Sequence, residues 1–462
     1  MEKFTEKTFT VSDAIEKIGF GKFQYVLSVV VGFSWMADSM EIMLLAILTP
    51  ALACEWHINA YQQALVTTCM FAGWTASSPF WGWFCDRFGR KTGLLIASIL
   101  GAVAGIASAF APSYVWFIVL RSIVGVAMGG VPQSATIFSE FLPTKRRAAG
   151  IIMLEVFWAI GASVEVAMAI LIVPTFGWRG VVVASSLPLA LFAFVALMWM
   201  PESARFHITH HRADRARKVL DRLAAFNGSV LPEGELIVDP KAPTQNRFVA
   251  LLNRTHLVTT LLVWTIWLIQ AFSYYGMSLT TTKLFSSTDE CHGGNPANIN
   301  STLTGCNPLT TKDYVDMLIT AVAEVPGLFV TFLIIDRLGR KWTMATQLAV
   351  FAAANLVLFF CMPRWAIVAI IFVARAMIAG SFQAAYVYTP EVYPTTLRAL
   401  GVGAASMWGR VGAMLTPTVS QVLGDWNIIY AVLIYGATGL VGALVCLFLP
   451  IETKGRQLRE TH

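Results

Sequence analysis

The chain has 462 residues, of which 56% are hydrophobic and 13% charged, with a mean hydropathy of +0.64. That is far too apolar for a water-soluble enzyme. The formal net charge of +6 is carried by loops between apolar runs, so it speaks for membrane orientation and against nucleic-acid binding.

With the first 22 residues polar, no cleavable signal peptide is expected, and the first apolar helix is the expected targeting signal. Within them, "SDAIEKIGFGKF" predicts a short amphipathic helix lying on the inner membrane surface. Apolar runs of roughly 20 residues, the length that crosses a bilayer, then recur. They predict spans near 25–50, 61–84, 93–111, 114–138, 149–173 and 178–200. A second group is predicted near 257–283, 313–335, 341–361, 364–388, 399–423 and 426–449. The fold class is therefore an all-α membrane protein of twelve transmembrane helices in two pseudo-symmetric six-helix bundles. Its divisions are a cytoplasmic N-terminal segment (1–24), a first bundle (25–201), a cytoplasmic central loop (202–254), a second bundle (255–450) and a cytoplasmic tail (451–462).

Lys and Arg set the orientation. Starting inside, the cytoplasmic segments hold Lys17, Lys22, Arg87, Arg90, Lys91, Lys145, Arg146, Arg147, the bases between Arg205 and Arg254, then Arg337, Arg340, Lys341, Arg398 and Lys454. The opposite face has only Arg179, Lys283, Lys312 and Arg364 near it. Both termini are expected in the cytoplasm. The long outward loop after the seventh span carries Cys291 and Cys306, an expected disulfide, and Asn300-Ser301-Thr302, an expected glycosylation site. Cys54 also faces outward and competes for a partner. The sequons at Asn227 and Asn253 lie inside and are discounted. Cys69, Cys85, Cys361 and Cys446 read as small apolar residues or free thiols.

The loops repeat. "DRFGRK" at 86–91 returns as "DRLGRK" at 336–341, and Glu140, Pro143, Arg147 and Gly150 return as Glu391, Pro394, Arg398 and Gly401. "MPESARF" after the sixth span is echoed by "LPIETKGR" after the twelfth. Self-similarity at half the chain length means two related bundles. The pattern from Gly82 to Lys91 (G-x-x-x-D-R-x-G-R-K) resembles the signature of the major facilitator superfamily, and the resemblance covers essentially the whole chain. The Pro-Glu-Ser and Pro-x-Glu-Thr-Lys-Gly endings resemble sugar porters and organic-ion transporters. More narrowly, "WMADSMEIMLL", "GGVPQS", "EVFWAIG", "FSYYG" and "FQAAYVYTPEVYPT" resemble the synaptic vesicle 2-related proteins, whose relatives include bacterial niacin transporters.

The loop charges have a bland reading as orientation signals and turn chemistry. In the sharper one, Asp86, Arg87, Arg90, Glu140, Arg147 and Glu202, mirrored by Asp336, Arg337, Arg340, Glu391, Arg398 and Glu452, form an inner-face ion-pair network. It clasps the two bundles while the cavity opens outward and breaks in the reverse state. Within the membrane, Asp38 and Glu41 stand three residues apart. Arg121 lies at a similar depth, roughly 11 Å below the outer surface against 13 Å for Glu41 at 1.5 Å per residue. Proton-coupled sugar porters are similar in setting an acid on the first helix against an arginine on the fourth. Asp38 and Glu41 are thus expected to share Arg121, one carboxylate exchanging a proton; the bland alternative is a permanently ionised structural cluster. Glu324 and Arg375 suit a buried structural pair, and Glu155 a contact near the cytoplasmic side. Glu165, Gln270, Tyr274, Tyr275, Gln383, Tyr386, Trp408 and Arg410 are candidates for the substrate site. Their rings would stack on a flat molecule, although aromatic residues often serve only as interface belts or core. Arg410 lies in "MWGRVGAMLTP", which resembles organic-anion transporters, where an arginine at that place is associated with anionic substrates.

The resemblance thus implies a secondary transporter, not an enzyme. It moves a small organic ion, with an aromatic or heteroaromatic carboxylate such as nicotinate as the leading class, by alternating access with proton coupling. The alternative is a non-transporting vesicle membrane glycoprotein acting as receptor, scaffold or trafficking factor. No cofactor or metal is expected, since no HExxH, GxSxG or nucleotide loop occurs and "GFGKFQ" lacks the rest of a phosphate-binding pattern. The expected partners are substrate, protons and lipid, the expected state a monomer, and the expected location a vesicle or plasma membrane.

Overall fold

A computed structural model describes residues 8–238, 248–287, 291, 309–394 and 397–454. At 145, 147–149, 151–152, 248–249 and 399 the backbone alone is described. After a short strand β1 (Thr8–Phe9) and helix α1 (Val11–Ile18), the first half runs through α2 (Lys22–Trp56), α3 (Ala60–Phe88), α4 (Arg90–Ala109), α5 (Tyr114–Met128), α6 (Pro132–Glu140) and α7 (Arg147–Trp199). A connector follows, with α8 (Ala204–Thr209), α9 (Ala213–Asn227) and strand β2 (Glu235–Leu236). The second half holds α10 (Leu257–Ser286), α11 (Thr311–Val322), α12 (Glu324–Leu338), α13 (Arg340–Val357), α14 (Arg364–Val392) and α15 (Arg398–Pro417). It closes with a π turn (Thr418–Leu423), the short α16 (Gly424–Trp426) and α17 (Ile428–Leu447).

These elements make twelve passes. Three are less simple than apolar runs suggest. α7 contains two passes joined at Gly177, whose φ of 64° is a left-handed geometry glycine adopts without strain. The fourth pass breaks between α5 and α6 at Gly129-Gly130-Val131, ahead of Pro132, which has no N–H to continue the ladder. The eighth breaks at Ala323, between α11 and α12, three residues before Pro326. Most helices overrun their apolar core by several residues, because backbone hydrogen bonding continues into the polar flanks.

Packing repeats between the halves. In the first, α2 packs on α7, α3 and α4 on α5, and α4 on α7; in the second, α10 packs on α15, α12 and α13 on α14, and α13 on α17. Small residues make the close approaches, as expected where lipid gives helices no hydrophobic reason to associate. Gly161 lies on the backbone of Met36, and 251 residues later Gly412 lies on that of Leu268. Gly73 abuts Ser122, and 254 residues later Gly327 abuts Ala376. Across the halves, α11 packs on α7, and α15 and the π turn pack on α3. Gln421 Nε2 donates to Thr49 Oγ1 at 3.1 Å, at the end away from the basic loops.

At the basic-loop face, α1 departs from expectation. Its apolar side is not turned to lipid. Val11, Ala14 and Ile15 join Phe9, Ala204, Ile208, Ala216, Leu220 and Leu236 in a separate small core, and β1 pairs in parallel with β2. An amphipathic pattern identifies a buried face but not its partner, and α9 provides a better one than a bilayer surface. Asn227 is engaged here: Oδ1 accepts from Phe23 N at 2.9 Å and Nδ2 donates to Gln24 Oε1 at 2.9 Å.

Candidate functional site

Charged side chains inside the bundles fall into two paired clusters and one unpaired set. In the first half Arg121, fully buried, donates from Nη1 to Glu41 Oε2 at 2.5 Å, and its guanidinium lies 5.3 Å from the Phe117 ring centroid. Glu165 completes this cluster: fully buried, in electrostatic range of Glu41 and Arg121, it accepts Ser185 Oγ at 2.7 and 2.8 Å. It does not line the central cavity, which corrects its assignment as a substrate residue. In the second half Arg375 Nη2 donates to Glu324 Oε1 at 2.7 Å, both side chains buried. Arg121 and Arg375 stand 254 residues apart, so each half has an arginine held by its own glutamate at the matching place.

Asp38 does not share Arg121. Three residues along a helix leave a rotation of roughly 60° between side chains, enough to aim Glu41 into its own half and Asp38 toward the other. Asp38 is buried, Oδ1 has no hydrogen-bond partner, and the cation in its electrostatic range is Arg410 of the second half. Arg410 forms no ion pair among the described residues; its guanidinium lies 5.2 Å from the Trp74 ring centroid on α3, with Tyr275 and Tyr386 also in electrostatic range.

Beside this pair, a cavity lies between the halves. Trp35, Glu155 and Trp158 line it from the first half; Tyr274, Tyr275, Phe382, Gln383 and Tyr386 line it from the second. Glu155 thus faces the cavity and not a cytoplasmic-side neighbour. Trp35, Trp158 and Phe382 were not among the expected site residues. The spacing of Glu155 and Trp158 in "EVFWAIG", one helical turn, was the available signal. Gln383 has both polar side-chain atoms buried without a partner. Gln270 is committed to structure, donating from Nε2 to Ser381 O and Oγ at 3.0 and 2.9 Å. Trp408 stacks on Trp264 with centroids 5.6 Å apart and does not line the cavity. Tyr274 belongs to a relay: Trp158 Nε1 donates to Tyr274 Oη at 2.7 Å, and that hydroxyl donates to Glu324 Oε2 at 2.8 Å. The first half is thereby tied to the Glu324–Arg375 pair.

At the basic-loop face the expected network divides by half. Arg90 pairs with Asp86 at 3.2 Å and Glu140 at 2.8 Å, while Glu202 accepts from the Lys91 backbone N–H at 3.0 Å. The mirror set has Arg340 with Asp336 at 2.9 Å and Glu391 at 3.0 Å, and Glu452 accepts the backbone N–H groups of Arg340 and Lys341 at 2.9 and 3.1 Å. Arg87 lies over Phe88, and the Arg337 carbonyl accepts from Lys454 Nζ at 2.6 Å. Arg398 has two guanidinium nitrogens buried without a hydrogen bond, and the side chain of Arg147 lies outside the described residues. Among the described residues none of these ion pairs bridges the halves; each closes within its own.

On the other face Arg179, Lys283 and Arg364 are neutralised by Glu55, Asp425 and Asp313 with Asp316. This explains how basic residues sit on a face otherwise poor in them. The disulfide there is corrected: Cys291 bonds Cys361 at the end of the ninth pass, whereas Cys306 lies outside the described residues, as does Asn300. Cys361, 70 residues away, is brought close by the fold, a proximity that spacing within one loop does not reveal. Cys54 is also disulfide-bonded.

The profile of the family described as "Sugar (and other) transporter" matches residues 21–462. The synaptic vesicle 2-related protein of Xenopus laevis is 48% identical over 459 residues, covering 99% of this chain and 83% of that protein. The Bos taurus protein of the same name gives the same identity and coverage. Among solved structures, the partially occluded inward-open xylose transporter XylE from E. coli superposes with a TM-score of 0.72 at 16% identity, covering 94% of this chain and 100% of that one. The twelve-pass fold and a family match along nearly the whole length lead to one conclusion: this chain is an integral membrane protein of the sugar (and other) transporter family, within the major facilitator superfamily.

Proposed function

We propose that the protein is a proton-coupled secondary transporter for a small organic ion, with an aromatic or heteroaromatic carboxylate such as nicotinate as the leading substrate class. The observation that carries this reading is Arg410. It reaches from α15 toward Asp38 on α2 without forming an ion pair, beside two tyrosines of the cavity wall. A guanidinium so placed offers a fork to a carboxylate. Its occupation by substrate removes the counter-charge from Asp38, which then takes up a proton. Anion and proton therefore load together, and alternating access carries both across. Glu41 and Arg121 hold the helix frame around this step. The basic-loop face is taken as cytoplasmic by the positive-inside rule, and the names of the relatives favour a vesicle membrane.

Purified protein in liposomes tests this. An inward proton gradient should drive accumulation of labelled nicotinate above equilibrium. Arg410→Ala should reduce uptake to background, and Asp38→Asn should abolish gradient-driven accumulation yet retain exchange of internal for external substrate. Accumulation by Asp38→Asn at the wild-type level would end the coupling claim, and normal uptake by Arg410→Ala would end the anion site.

A further inference from the structure

Glu155 has no role in the mechanism above. Its carboxylate faces the cavity, Oε1 is buried without a hydrogen-bond partner, and among the described residues no cation pairs with it. The charge within its range is a second carboxylate, Glu324, which already holds Arg375. Two acids against one base leave one negative charge uncompensated, and with Oε1 buried and unbonded such a charge needs a counter-ion or a proton. Much of the surrounding wall is aromatic, and the polar edges of three of its rings are already engaged. Trp35 Nε1 donates to Ser134 at 3.1 Å, Trp158 Nε1 to Tyr274 at 2.7 Å, and the Tyr274 hydroxyl to Glu324 at 2.8 Å. What these residues have left for a ligand is mainly ring surface, whose negative quadrupole attracts cations. Trp35 and Trp158 meet at 67° with centroids 6.1 Å apart, and Tyr274 meets Tyr275 at 77° and 5.2 Å, so faces turn in more than one direction around the acid.

We infer that Glu155 and the rings around it form a subsite for an organic cation, a quaternary or protonated amine, separate from the anion site at Arg410. This uses the same cavity as the transport reading but does not depend on Arg410. A ligand filling both subsites is a zwitterion.

Choline and its neutral carbon isostere 3,3-dimethylbutan-1-ol test the inference on the purified full-length protein. Binding is followed by tryptophan fluorescence, to which Trp35 and Trp158 contribute, and by thermal shift. Choline is expected to bind saturably and the isostere at least about tenfold more weakly, a difference of about 1.4 kcal/mol. Glu155→Gln should lose the preference for choline, and Arg410→Ala should keep it. Equal binding of the two probes, binding of neither, or an unchanged preference in Glu155→Gln overturns the subsite. If Glu155→Gln does not fold, the probe pair on the unaltered protein still decides. Absence of nicotinate transport by the unaltered protein, with choline recognition intact, overturns the anion reading alone.

Discussion

At the scale of single residues, two acids three positions apart have opposite fates. Glu41 is bonded to a fully buried arginine, so removing its charge strands Arg121 where water cannot compensate; breaking a buried pair in this way costs about 3–5 kcal/mol in soluble proteins. Asp38 has no bonded partner for its Oδ1 and faces Arg410 across the interface between the halves. Glu41→Gln should therefore lower the melting temperature of the purified protein clearly, and Asp38→Asn should leave it nearly unchanged. Equal losses in the two variants would mean that both acids are structural. The depth of these residues was legible in the sequence, because position along a helix is counted at a fixed rise per residue, and so Glu41 and Arg121 were matched. Direction around the helix axis was not. Asp38, matched by depth to Arg121, faces Arg410; Glu155, expected to meet a cytoplasmic-side neighbour, faces the cavity; and Glu165, expected in the cavity, faces Ser185, since azimuth depends on how neighbouring helices pack.

At the scale of elements, the same division holds. Twelve passes were legible because a bilayer demands long apolar runs, but the fate of the amphipathic α1 was not, because its apolar stripe fits a membrane surface and a helical partner equally well. Its packing on α9 makes a testable claim. Ile15 is 3% exposed within the small core, so Ile15→Asp should detach α1, seen as faster amide hydrogen exchange in α1 and α9 while the membrane helices keep their protection. Unchanged exchange would return α1 to the membrane surface. The N-terminus of α1 carries its own pH dependence. The backbone N–H and hydroxyl of Thr10, both donated to the Asp13 carboxylate, hold it below its usual value of 3.8. A depressed folded value means that the stabilising contribution is complete above 3.8 and disappears as the pH falls through the lower folded value. Asp13→Ala should therefore fray α1 at neutral pH, and the difference from the unaltered protein should close in acid.

At the scale of the whole molecule, the charges at the basic-loop face and the contacts at the other face describe one state of a two-state cycle. Each ionic network, around Arg90 and around Arg340, closes within its own half. At the far end, α11 rests on α7, the π turn rests on α3, and Gln421 bonds Thr49. The halves are joined away from the basic loops, and none of the described ion pairs bridges them beside those loops. The Trp158–Tyr274–Glu324 relay lies between, where rocking of one bundle against the other must break it. The Thr49–Gln421 contact gives the most direct test, because its oxygen and nitrogen are 3.1 Å apart only while the far end is closed. A Thr49→Cys, Gln421→Cys double variant should cross-link on mild oxidation, identified by peptide mapping, and the cross-linked protein should bind substrate yet fail to accumulate it. Each single variant controls for effects on folding and on the native disulfides. Full transport by the cross-linked form would mean that the two positions stay together throughout the cycle, and the joined far end would then be a fixed hinge instead of a gate.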